Sequence, residues 1–202
     1  FIRNNYYNLQ MKIYILIGFV FILTGCELFD TRDAEIPDQG RSSFEPASSP
    51  QILISNLVNS FRDKNVENYL ACFVDSSFTE KRYQFLPTSS AVSQYPVLSE
   101  NWTKREEESY FNNMKVRTET NIPVIVDFSN QIINPLGDSL QVTANYLLNL
   151  PNNSGIPTNY QGDLIFNMIR DSRSVWVIYY WQDIKTSTNL PGWSELKGLL
   201  AN

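Results

Sequence analysis

The chain has no histidine and two cysteines, Cys26 and Cys72, so the side chains that most often run acid/base and metal chemistry are missing. Proton transfer would fall to Asp, Glu or Tyr, and a carboxylate acting as a base near neutral pH needs its pKa raised by burial. Three acids, Asp127, Asp163 and Asp183, stand on or beside strand-like segments. Each is expected to face solvent, because a buried acid requires specific partners, and no catalytic residue is assigned. Cys72 lies in an apolar helical pattern and reads as a small buried hydrophobe. No metal site is expected, since nitrogen and sulfur ligands are too few and no EF-hand spacing of carboxylates occurs, and nothing points to a cofactor.

Charge narrows the partners. The net charge is −5, and the densest basic pair, Lys104-Arg105, runs directly into Glu106-Glu107-Glu108. A nucleic-acid partner is excluded on this ground, because neutralising phosphates takes a Lys/Arg-rich face. At 43% hydrophobic and 18% charged residues the composition is globular, and 202 residues leave room for one domain of ordinary size.

The N-terminal region carries a different signal. Met11-Lys12 leads into an apolar run from Ile13 to Leu23, then Thr24-Gly25-Cys26. A basic start, a short apolar core and small residues before a cut are the parts of a secretory signal, and the run falls short of the ~20 residues a membrane span needs. Leu23-Thr24-Gly25-Cys26 resembles the lipobox of bacterial lipoproteins, which implies that the Cys26 thiol is acylated and becomes the mature N-terminus. Acylation would leave Cys72 without a disulfide partner. Residues 1–10 precede the start methionine and read as an over-extended N-terminus, residues 11–25 as the signal peptide, and 26–50 as the lipidated cysteine with a polar, Pro/Ser-containing tether. The expected location is the bacterial cell envelope, on the periplasmic face or cell surface, with the membrane held as a partner through the lipid on Cys26.

Residues 51–202 read as a single α+β domain. Leu53, Leu57, Val58 and Phe61 form one helical stripe, Val66, Tyr69, Leu70 and Phe73 a second, and Asp63-Lys64-Asn65 separates them. Thr103 and Glu106 stand at capping-box spacing before a third helix carrying Tyr110, Phe111 and Met114. After residue 120 the period falls to two. Leu140 to Leu148 and Leu164 to Met168 alternate with polar residues, Val124 to Phe128 reads as another strand, and Val175 to Trp181 follows the turn at Asp171-Ser172-Arg173. Helices first and an antiparallel sheet after is the expected order.

That order, with Val175-Trp176-Val177-Ile178-Tyr179-Tyr180-Trp181-Gln182-Asp183 followed by Trp193-Ser194-Glu195-Leu196-Lys197, resembles the nuclear transport factor 2-like superfamily, including its SnoaL-like and ketosteroid-isomerase-like members. The resemblance implies a cone-shaped, cystatin-like roll in which a curved antiparallel sheet and helices leave an apolar cup. Trp102, Tyr146, Phe166 and Tyr179 are the tentative lining of such a cup, suited to an apolar small molecule. The last strand is apolar on both faces, with Trp176, Ile178 and Tyr180 on one and Val177, Tyr179 and Trp181 on the other. Helices cover one face, and the other needs the segment with Trp193 and Leu196, a second copy, or another envelope protein. The leading reading is a non-enzymatic binding or interaction domain. A cofactor-independent lyase or isomerase and a structural subunit with a filled cup are the rivals.

Overall fold

The computed structural model describes residues 43–201. The segment read as a signal peptide, Cys26 and most of the stretch read as a tether lie outside the described residues. No helix among the described residues is long and apolar enough to cross a membrane. Residues 43–49, polar enough to read as tether, are already packed. Glu45 N–H donates to Asn56 Oδ1 at 3.0 Å, Asn56 Nδ2 donates back to the Glu45 carbonyl at 2.6 Å, and Trp176 N–H donates to the Ala47 carbonyl at 2.8 Å. Backbone hydrogen bonds hold this stretch, and composition does not register them.

Helix α1 (Pro50–Asp63) starts where Ser49 caps the Ile52 N–H and Pro50 takes the first turn. It ends where Lys64 turns left-handed at φ 50°, and Asn65 at once caps α2 (Val66–Ala71). A short strand β1 (Gln84–Leu86) and a six-residue helix α3 (Ser89–Gln94) precede α4 (Lys104–Arg117), which opens on the Thr103/Glu106 capping box. Strands β2 (Ile125–Leu136), β3 (Ser139–Asn149), β4 (Asn159–Arg170) and β5 (Trp176–Ile184) follow, and α5 (Trp193–Leu200) closes the chain.

The sheet order is β1-β5-β4-β3-β2. The four long strands pair antiparallel as expected, but β1 runs parallel to β5, so the sheet is mixed. Three residues are too few to show a period in sequence. Phe85 secures this strand by packing at 5.7 Å from Trp181 and 5.9 Å from Trp102.

One face of β3 and β4 is buried by Leu140, Val142, Ala144, Tyr146 and Leu148 and by Tyr160, Leu164, Phe166 and Met168. Two irregularities bend the sheet around that face, one near Asn130 (φ 51°) in β2 and one between β4 and β5. The second also resets the faces of β5. Ile178 pairs with Met168 and Trp181 with Phe166, while Tyr179 has no partner in the ladder. Ile178 and Trp181 therefore share the inner face, contrary to strict alternation.

Candidate functional site

The concave side of the sheet is where a cone of this kind would hold a ligand, and here α5 fills it. Every residue from Trp193 to Gly198 is buried, as is Leu200. The Trp193 ring lies 4.7 Å from Trp181, 5.0 Å from Tyr146 and 5.4 Å from Phe61, which places it between the sheet and α1. The segment read as a cover for the outer face is thus a plug for the inner one. Two networks tie it in place.

The first centres on Asp183. Its carboxylate accepts from the Tyr146 hydroxyl at 2.6 Å, the Ser194 N–H at 2.7 Å and the Ser194 hydroxyl at 2.6 Å. The Tyr146 oxygen in turn accepts from the Trp193 N–H at 2.6 Å. Burial raises the Asp183 pKa above the ordinary carboxylate value, against the lowering effect of the Ser194 and Tyr146 hydrogen bonds. Gly162 makes the approach feasible: a Cβ there would sit 2.7 Å from the Tyr146 hydroxyl and 2.6 Å from the Ile184 carbonyl.

The second joins α4 to α5. Glu107 and Lys197 form an ion pair in which both side chains are 0% exposed. Glu107 also accepts from the Tyr83 hydroxyl at 2.5 Å, the Tyr69 hydroxyl at 2.6 Å and Trp102 Nε1 at 2.8 Å. The Lys197 ammonium lies 3.8 Å from the ring centres of Phe85 and Trp181, an aromatic enclosure that favours a cation. Burial nevertheless lowers its pKa to about 8, with the Glu107 charge opposing the shift. Tyr69 and Tyr83 are pushed well up, first by burial and then by the Glu107 charge.

Chemically this arrangement is sealed. Four donors converge on Glu107 and three on Asp183, so the carboxylates inside the cone are occupied by the protein itself. Such sites position helices; a base needs a free lone pair facing substrate.

Trp102, Tyr146 and Phe166 do lie in the interior, but they do not frame one space. Trp102 serves Glu107, Tyr146 serves Asp183, and Phe166 packs edge-on to Trp181 at 5.1 Å. Tyr179 sits at the β5 irregularity, half-buried, with the Lys81 ammonium 5.1 Å from its ring centre. Asp127 is exposed and Asp163 accepts from Asn145 Nδ2 at 2.5 Å; Asp183, expected at the surface, is buried for the reason just given. Cys72 is buried, and burial drives its thiol pKa up. Glu107 and Lys197 carried a legible signal that was not read as one. Glu107 opens the stripe Glu107, Tyr110, Phe111, Met114, and Lys197 falls among Trp193, Leu196 and Leu200, so each places a charge on an apolar helix face.

Surface clefts of about 600, 340 and 390 Å³ are lined by none of Trp102, Tyr146, Phe166 and Tyr179, while Asp163 lines the 340 Å³ one. The 340 Å³ cleft lies on the sheet between β2 and β5, the 600 Å³ cleft beside the start of α4, and the 390 Å³ cleft where the β3–β4 loop meets α5.

No protein-family model matches the sequence, and no curated protein does. Solved structures do match in fold. A Streptomyces avermitilis protein of the nuclear transport factor 2-like family, assigned as a candidate dehydratase, aligns with TM-score 0.51 at 8% identity over 68% of this chain and 94% of its own. A candidate aromatic ring hydroxylase from Novosphingobium aromaticivorans aligns with TM-score 0.52 at 11% identity over 68% and 86%. A Mycobacterium tuberculosis protein of unknown function aligns with TM-score 0.51 at 12% identity over 75% and 90%. The fold is that of nuclear transport factor 2-like proteins, an α+β cone, and identities this low speak to the fold alone.

Proposed function

We propose that this chain is a lipid-anchored protein of the bacterial cell envelope whose domain works as a non-catalytic interaction module. The observation that carries the non-catalytic part is the filled cone: Trp193 and Lys197, both 0% exposed, occupy the space where a substrate would sit. A lyase or isomerase of the kind suggested by the dehydratase-like neighbour needs a free acid or base in an open cup. A partner surface is on offer outside instead. Ile125, Ile132, Leu136 and Leu147, 46–58% exposed, pair with Asn149, Thr143, Ser139 and Asp127 in the β2–β3 ladder and share the outer face. These apolar side chains, spaced along β2 by the exposed Asp127, Ser129 and Asn134, suit a second copy or another envelope protein.

Two experiments test the reading. Fractionating cells that carry Cys26→Ser should release the protein from membranes, because two or more acyl chains at about 0.8 kcal/mol per buried methylene supply the anchoring; a variant that stays membrane-bound with unchanged mass rules out the lipid anchor. Incubating the protein with lipid and steroid-like compounds should yield no product. A product whose formation Asp183→Asn abolishes, in a variant that remains folded, would overturn the non-catalytic reading.

A further inference from the structure

Two neighbouring rungs of the sheet build the cleft of about 340 Å³ on its outer face. Pairing aligns Ile132 of β2 with Thr143 of β3 and Ile165 of β4, a rung that is apolar but for the Thr143 hydroxyl. The next rung sets Asn145 of β3 beside Asp163 of β4 and Ile184 of β5. Asn130 completes it. The irregularity in β2 leaves this residue left-handed, at φ 51°, and outside the ladder, so that its side chain reaches Asn145. The polar rung has a direction: Asn130 Nδ2 donates to Asn145 Oδ1 at 2.6 Å, and Asn145 Nδ2 donates to Asp163 Oδ1 at 2.5 Å. The run of amides thus ends on a carboxylate. Asp163 Oδ2 has no hydrogen-bond or ion-pair partner among the described residues, and neither has Asn130 Oδ1. Asp163 is half-buried and lines the cleft, and Asn130 is exposed, so both acceptors can be reached from it. No lysine or arginine lines the cleft, and Lys185, which follows Ile184, is engaged by Glu195 at 2.5 Å.

We infer that this cleft binds a primary ammonium on a short alkyl stem, the group carried by free alkylamines and by lysine side chains. The charge selects the sign of the ligand, because the cleft holds one carboxylate and no cation, and a charge-assisted hydrogen bond is the strong kind. The free acceptors select a donor. An ammonium brings three N–H groups and no acceptor, which suits Asp163 Oδ2 and Asn130 Oδ1 together. The walls select the stem: Ile132, Ile165 and Ile184 offer apolar surface on which methylenes lie while the charged head meets the polar rung. The volume stands at the small end of ligand cavities, about 300–1,000 Å³. The site lies outside the filled cone and does not depend on the lipid on Cys26. It shares Ile132 with the outer surface proposed above for a partner protein, but its recognition is electrostatic, so its failure would leave that surface standing.

The test uses the full chain, purified in a mild detergent, with pentylammonium as probe. Methylammonium has the charge without the stem, n-pentanol the stem without the charge, and pentanoate the stem with the opposite charge. Titrations followed by NMR should show pentylammonium shifting the methyl resonances of Ile132, Ile165 and Ile184, with each of the three controls binding at least tenfold more weakly. Asp163→Asn should remove the preference for pentylammonium over n-pentanol. The asparagine oxygen still accepts from Asn145, so the variant should keep the urea midpoint of the parent. Any control that binds as well as pentylammonium, no shifts at millimolar probe, or a preference that survives Asp163→Asn would overturn the assignment, and the controls on the parent chain decide it even where the variant is destabilised. Sedimentation separates the two sources of the ammonium. A parent chain that self-associates, and that pentylammonium or Asp163→Asn returns to monomer, places a lysine of a second copy in the cleft; a monomer that binds the probe leaves the cleft to a free amine.

Discussion

A chain that ends at Lys185 is expected to lose its cooperative monomeric fold. The missing segment contributes Trp193, Leu196 and Leu200, all 0% exposed, and burying a large apolar side chain stabilises by about 1.5–3 kcal/mol. Three such residues already approach the whole stability of an ordinary domain, about 5–15 kcal/mol. Their removal also opens the inner face, exposing Trp181, Phe61 and Phe166 together. Asp183 and Glu107 lose the Ser194 and Lys197 partners that offset their burial. Urea unfolding followed by tryptophan fluorescence should show no sharp transition, and sedimentation should show self-association through the uncovered aromatics. A truncated chain that stays monomeric with an unchanged urea midpoint would mean that α5 is a dispensable lid, and the cone would then count as an open cup.

The distinction between a lid and a plug is where sequence reading reached its limit. Elements whose residues signal for themselves were legible: the α1 stripe with its break at Lys64, the Thr103/Glu106 cap, and the alternation from Leu140 to Leu148 all appear as expected. Elements that exist through their partners were not. Strand β1 is three residues long and forms because β5 is there to pair with it, and α3 has six residues and no long apolar stripe. The face assignment in β5 failed at Tyr179 because an extra residue in one strand shifts every side chain beyond it. For the site, Trp102, Tyr146, Phe166 and Tyr179 read as the lining of a cup, and an aromatic that lines a cavity and one that fills it look alike in sequence. The deciding information lay in Glu107 and Lys197. A single acid on the apolar side of α4 and a single base on the apolar side of α5 call for each other when both helices face the same core, and pairing them would have placed α5 inside the cone.

That pair gives the second large effect. Lys197→Met should cost about 3–5 kcal/mol, since it leaves Glu107 buried with its charge uncompensated, even though Tyr69, Tyr83 and Trp102 still donate to it. Glu107→Gln should cost a similar amount while Lys197 stays protonated in its aromatic enclosure. The double variant Glu107→Gln/Lys197→Met should be less destabilised than the sum of the two, as expected for partners in direct contact. The pH dependence reports the buried ammonium itself, because burial lowers the Lys197 pKa and the Glu107 charge only opposes that shift. In the folded chain Lys197 titrates at about 8, below the ordinary lysine value of 10.5, so between these values the unfolded chain holds more protons than the folded one. Stability therefore rises with pH across that window, and the contribution fades as pH falls through 8. Above pH 10 the opposite applies to Tyr69, Tyr83, Tyr110 and Tyr146. Burial keeps them protonated in the fold while the unfolded chain ionises, so stability falls. The parent should thus show a maximum in urea midpoint on the alkaline side of pH 8. In Lys197→Met the rising limb should vanish and the tyrosine-driven fall remain. A Lys197→Met protein that keeps the rise between pH 8 and 10, or loses less than about 1 kcal/mol at pH 7, would show that the pair does not hold α5 in the cone.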